Sequence, residues 1–103
     1  MTSNALEIKI AAEAESEIKD IYQWYFDQSP PAANSFLEAL DLLFNFLIIN
    51  PYSFSRQRKN FRVAYTKRFP FAIIYEIMGT TILILRILHT SRHPRKRFTK
   101  LKR

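Results

Sequence analysis

The sequence predicts an α+β domain in the order β-α-α-β-β-β, a mostly antiparallel sheet with a helical hairpin packed on one face. Three observations lead there. A short alternating stretch comes first, two long apolar-periodic stretches split by Ser29-Pro30-Pro31 follow, and the chain after Pro51 is rich in β-branched and aromatic residues.

Leu6, Ile8 and Ile10 alternate with Glu7 and Lys9, the period-two pattern of a half-buried strand. Ala14, Ile18, Ile21, Tyr22 and Tyr25 then recur at helical spacing, with Glu13, Glu15, Glu17 and Asp20 near the positive end of the helix dipole. That helix runs to about Gln28, where Ser29-Pro30-Pro31 stops it. Pro31 suits the first turn of a second helix, whose end is set by Asn50-Pro51. At 100° per residue, Ala33, Phe36, Leu37, Leu40, Leu43, Phe44 and Leu47 form its core face. Ala39, Leu42, Phe46 and Ile49 form another apolar stripe on roughly the opposite side. Either loops and the first helix cover this stripe, or a partner protein does, Trp24 of the first helix joining the contact.

Phe61, Val63 and Tyr65 alternate with Arg62, Ala64 and Thr66 as a strand with one wet face, Phe71 to Ile77 make a more buried strand, and Thr81 to Leu88 a third. Gly79, the single glycine, reads as the positive-φ residue of the hairpin turn between the last two. Residues 1–94 form one domain, and residues 95–103 are a basic tail without a core pattern.

Charge is divided along the chain. Residues 1–50 carry eight acids and two bases, a net −6, whereas residues 51–103 carry one acid, Glu76, and fourteen bases, a net +13. The second half therefore suits a polyanionic or acidic partner. No cysteine is present, which excludes disulfides and thiolate metal sites. The acidic N-terminal stretch is unlike a signal peptide, and the apolar run LLFNFLII is too short to span a bilayer, so the expected location is the cytoplasm with no membrane partner.

The candidate anion-binding residues are Arg62, Lys67, Arg68, Arg86, His89 and Arg92. Strict alternation puts Ile82, Ile84, Arg86 and Leu88 on one face of the last strand and Leu83, Leu85, Ile87 and His89 on the other. If the hairpin covers the second set, Arg86 lies on the open face with Arg62, where guanidinium forks suit phosphate. The alternative is an internal ion pair with Glu76. Two histidines, His89 and His93, in basic surroundings predict no metal site, and no cofactor is expected. A metal-independent ribonuclease would draw on Arg86, His89 and Arg68 for its chemistry.

The segments IYQWYFDQSPPAANSFLEAL, Asn50-Pro51, RFPFAIIY and ILRILHTSRHP, taken in order over residues 6 to 94, resemble the RelE/ParE superfamily of type II toxin–antitoxin toxins, also described as plasmid stabilisation proteins. The resemblance implies the β-α-α-β-β-β fold and a cognate antitoxin whose C-terminal segment wraps the toxin. It implies one of two targets: DNA gyrase for ParE-like members, or messenger RNA cut in the ribosome for RelE-like mRNA interferases. Many relatives carry an arginine where this chain has Ala72, and the tail offers only His93 and Phe98 where ribonuclease members place catalytic groups. The resemblance therefore favours a ParE-like gyrase inhibitor, with a ribosome-dependent endoribonuclease or a non-toxic basic nucleic-acid-binding module as alternatives. The antitoxin, or a second copy of the chain in a homodimer, is expected on Trp24, Ala39, Leu42, Phe46 and Ile49.

Overall fold

A computed structural model describes residues 6–91 of the chain. Arg92, His93 and the basic tail lie outside them.

The elements are β1 (Glu7–Ile10), α1 (Ala12–Gln28), α2 (Pro30–Ile49), β2 (Arg56–Arg58), β3 (Phe61–Tyr65), β4 (Phe71–Met78) and β5 (Thr81–His89). The expected α+β layout is present, with β2 added as a short strand ahead of β3. Glu13 and Glu15 stand in the first turn of α1, where the dipole favours them. Ser29 joins the helices: its N–H donates to the Tyr25 carbonyl, and its own carbonyl accepts from Ala32 and Ala33. Pro30 and Pro31 occupy the opening turn of α2, where a missing N–H costs nothing. Asn50 closes α2 with a bond from its N–H to the Phe46 carbonyl.

The sheet order is β1-β5-β4-β3-β2. β1 runs parallel to β5 and the remaining pairs are antiparallel. Gly79 turns β4 into β5 at φ 61°, in open space, so backbone conformation and not crowding calls for glycine there. The helices bury Ala14, Phe36, Leu40, Leu43 and Leu47 against Ile73, Tyr75, Ile82, Ile84 and Ile87. Each of the buried leucine, isoleucine and phenylalanine side chains contributes about 1.5–3 kcal/mol. On the opposite face Phe61, Val63, Ala72 and Ile74 form a second cluster with Leu85 and Leu88. Leu37, expected in the core, is exposed at its margin. By length and composition α2 is apolar enough to cross a membrane, yet its core face is packed on the sheet.

Strict alternation fails in β5. Tyr75 pairs with Ile84 and Ile74 with Arg86, so Leu85 is an extra residue in a β-bulge. The bulge changes the phase of the strand: Ile82, Ile84 and Ile87 all face the helices, while Leu85 and Leu88 face away. The expectation that Leu85 shares the helix face with Ile87 is thereby corrected.

Candidate functional site

One end of the sheet gathers three of the expected residues. The β3–β4 turn carries Lys67 and Arg68, both exposed. It is fixed from three directions. Thr66 donates through Oγ1 to the Phe69 carbonyl at 2.8 Å and through its N–H to the Phe71 carbonyl at 3.1 Å. The Phe69 ring packs on Tyr25 and Phe36, at centroid distances of 5.3 and 5.9 Å. The Thr90 N–H donates to the Pro70 carbonyl at 2.8 Å, stitching the end of β5 to the turn. Arg68 is held at φ 70°, a conformation that costs a branched or long side chain energy and that collects at functional positions.

His89 stands opposite Phe71 and presents its ring edge-on to it at 5.7 Å. Its Nδ1 accepts from the Ser91 N–H at 3.2 Å and lies 2.9 Å from the Ser91 Oγ. With Nδ1 accepting, the neutral ring keeps its proton on Nε2 as a further donor. The cluster thus offers an ammonium, a guanidinium and an imidazole, and the described acids of the chain's second half come down to Glu76, buried on β4 opposite Leu83. Such a surface has the chemistry to attract anions, and these three residues bring no carboxylate for acid–base work. Among the described residues no group of three or more His, Asp or Glu could hold a metal ion.

Arg86 is not on an open face. Its Nε and Nη2 donate to Glu17 Oε2 at 2.9 and 2.6 Å, and Nη1 lies 3.8 Å from Glu13 Oε2. The hydrogen bonds it donates to Glu17 raise the guanidinium pKa above its ordinary value, with burial opposing. The other Glu17 oxygen accepts the Ile87 N–H at 2.9 Å. β1 ends opposite Ile84, so beyond that point α1 covers the edge of β5 and Glu17 satisfies the strand in place of a neighbouring strand. The internal ion pair is therefore real, but its partner is Glu17 and not Glu76.

Arg62 also leaves the expected face. Its Nη1 donates to the Phe54 carbonyl at 2.7 Å, and its guanidinium lies 5.0 Å over the Tyr52 ring. Tyr75 donates to the Pro51 carbonyl at 2.8 Å. Together they clamp the segment that follows α2. Burial pushes the Tyr75 phenol up to about 12, with Arg62 pulling in the other direction.

The second stripe of α2 is exposed. Leu42 and Ile49 are 68% and 77% exposed, Phe46 rests its ring on Phe54 at 6.0 Å, and Ala39 is half-buried. Trp24 is exposed on α1, edge-on to Tyr25. Neither the loops nor α1 hide these side chains. The sequence reading passed over Arg56, Arg58 and Lys59, all exposed on β2 and its turn. Their signal was the cationic run RQRK in a stretch without alternation.

A family model described as the ParE toxin of the type II toxin–antitoxin system, parDE, matches residues 8–94. No curated protein matches the chain. A solved structure described as the chromosomal ParDE toxin–antitoxin system from P. aeruginosa is similar over 86% of this chain and 100% of its own, at 22% identity and a TM-score of 0.73. At that identity the likeness shows a shared fold.

Proposed function

The chain belongs to the ParE toxin family of type II toxin–antitoxin systems, and from that premise we propose that it inhibits DNA gyrase in the cytoplasm and is neutralised by a cognate antitoxin. The observation that carries this reading is the ion pair of Arg86 with Glu17, which leaves the Arg86 side chain only 12% exposed. A ribonuclease would need that guanidinium free to stabilise a phosphorane. What remains at the sheet end, Lys67, Arg68 and His89, is a surface for grasping an acidic or phosphate-bearing target. Arg92, the remaining sequence candidate for target binding, lies outside the described residues.

The antitoxin has a receiving surface in Leu42, Phe46 and Ile49, with Trp24 as a further aromatic anchor. Removing such an anchor typically costs about 2 kcal/mol of binding. Supercoiling by purified gyrase, titrated with the toxin, tests the target. Inhibition without cleavage of translated messenger supports the reading, and cleaved messenger with uninhibited gyrase overturns it. Titration of Phe46→Ala with the product of the neighbouring gene tests the antitoxin surface: binding should weaken at least tenfold, and unchanged binding rejects it.

A further inference from the structure

The outer edge of the sheet carries a separate cationic row, and we infer that the β2–β3 hairpin grips the phosphate backbone of duplex DNA. Arg56, Gln57 and Arg58 are all exposed, and Lys59 is exposed in the turn at φ 52°. Arg56 stands opposite Arg62, and like charges facing each other across a ladder repel. Nothing inside the described chain relieves this repulsion. Among the described residues the ion pairs are Lys9 with Glu7 and Arg86 with Glu13 and Glu17, all remote from β2. Arg62 is already committed to Phe54 and Tyr52. Arg56, Arg58 and Lys59 are left for a ligand outside the chain.

The composition of the row selects the ligand. Residues 56–60 contain no aromatic side chain on which an unpaired base could stack and no aliphatic one to form the core of a protein interface. Phosphates match the row, the exposed rings near it being Tyr52, under the Arg62 guanidinium, and Tyr65 on β3. β3 runs from this hairpin tip to the turn bearing Lys67 and Arg68, so the cations extend over about 17 Å at strand spacing. Duplex DNA presents roughly one negative charge per 1.7 Å of axis over the same length. The contact is to backbone and so is independent of base sequence. Cations on an edge strand also guard against pairing between sheets, a role that requires no ligand.

This inference rests on charge placement and stands apart from the gyrase reading. The test is fluorescence anisotropy of a labelled 20-base-pair duplex with the full chain across a salt series, for wild type and for R56Q/R58Q/K59Q. Wild type should bind with an affinity that falls linearly in log–log form with salt. Each lost phosphate contact lowers that slope by about 0.9, so the triple variant should lose about 2.7 of it, while Gln57→Ala changes nothing. Thermal melting confirms that the triple variant is folded; if it is not, R56Q and R58Q singly should each lower the slope by about 0.9. A wild-type slope in these variants overturns the inference. So does tighter binding of single-stranded RNA or of a Glu-rich peptide than of the duplex. Aggregation of the triple variant with an unchanged slope for its soluble fraction also overturns it and assigns the cations to edge protection. A lowered slope from a protein that leaves gyrase uninhibited upholds this inference while the gyrase reading fails.

Discussion

Arg86 and Arg68 carry the same guanidinium at two places in one sheet, and their surroundings could hardly differ more. Arg86 lies mid-strand where α1 crosses β5, and two carboxylates from that helix meet it. Arg68 lies at the sheet end, exposed, on a turn that no helix acid reaches among the described ion pairs. The difference teaches that a cation's role here is decided by where the chain delivers its acids. Nearly all acids precede residue 50, and α1 carries Glu13 and Glu17 over the middle of β5 and not over its end. α2 repeats the contrast with apolar groups, since Leu47 is fully buried while Leu42, five residues earlier, is exposed.

The contrast on α2 is the most costly to disturb. Leu47→Ala should destabilise the protein by about 3 kcal/mol through lost burial and a cavity, whereas Leu42→Ala should change stability by less than about 0.5 kcal/mol. Urea midpoints of the two variants check this, and similar losses would show the outward stripe to be core. Next comes Arg86→Met, which leaves Glu17 beside a strand edge without its cation. A fully buried pair would lose about 3–5 kcal/mol on removal of one partner. Here Glu17 is 21% and Glu13 53% exposed, so water softens the loss, and about 2 kcal/mol is expected from the same urea measurement. Arg68→Gly should stay within about 1 kcal/mol of wild type, because relief of the left-handed backbone offsets the added freedom of the unfolded chain.

The effect visible only at high pH is titration at the α2 clamp. A tyrosine in the unfolded chain titrates near pH 10, and folded Tyr75 holds its proton to about 12. Its contribution to stability is therefore complete below pH 10 and is lost as pH rises towards 12. Tyr75→Phe should flatten that decline when urea midpoints are compared at pH 8, 10 and 11. At neutral pH it should cost about 1 kcal/mol for the missing bond to Pro51.

Much of this architecture was legible in the residues because local signals agreed. Pro30, Pro31 and Pro51 bracket α2, Gly79 marks the hairpin, and the alternation around Ile8 marks β1. β2 was not legible, since three polar residues of an edge strand carry no hydrophobic period. Nor was the bulge at Leu85: one inserted residue exchanges the faces of everything after it, and nothing in a run of isoleucine and leucine announces the insertion. Arg86 suffered most from both gaps, because its partner Glu17 lies 69 positions away and meets it only after α1 has packed. Lys67 and Arg68 were readable as exposed cations since a turn presents their side chains whatever the register, and His89 as their neighbour because it ends the strand. Arg62 was not readable, its direction being set by the loop after α2.

Gyrase supercoiling titrated with two variants, K67Q/R68G and R86M, separates the two arginine environments directly. Both are compared with wild type at a temperature where melting shows all three to be folded. If Arg86 is structural and the sheet end is the target surface, K67Q/R68G inhibits at least tenfold more weakly, equivalent to about 1.4 kcal/mol or more of lost binding, and R86M keeps wild-type potency. Full potency in K67Q/R68G together with loss of inhibition in folded R86M would contradict that assignment.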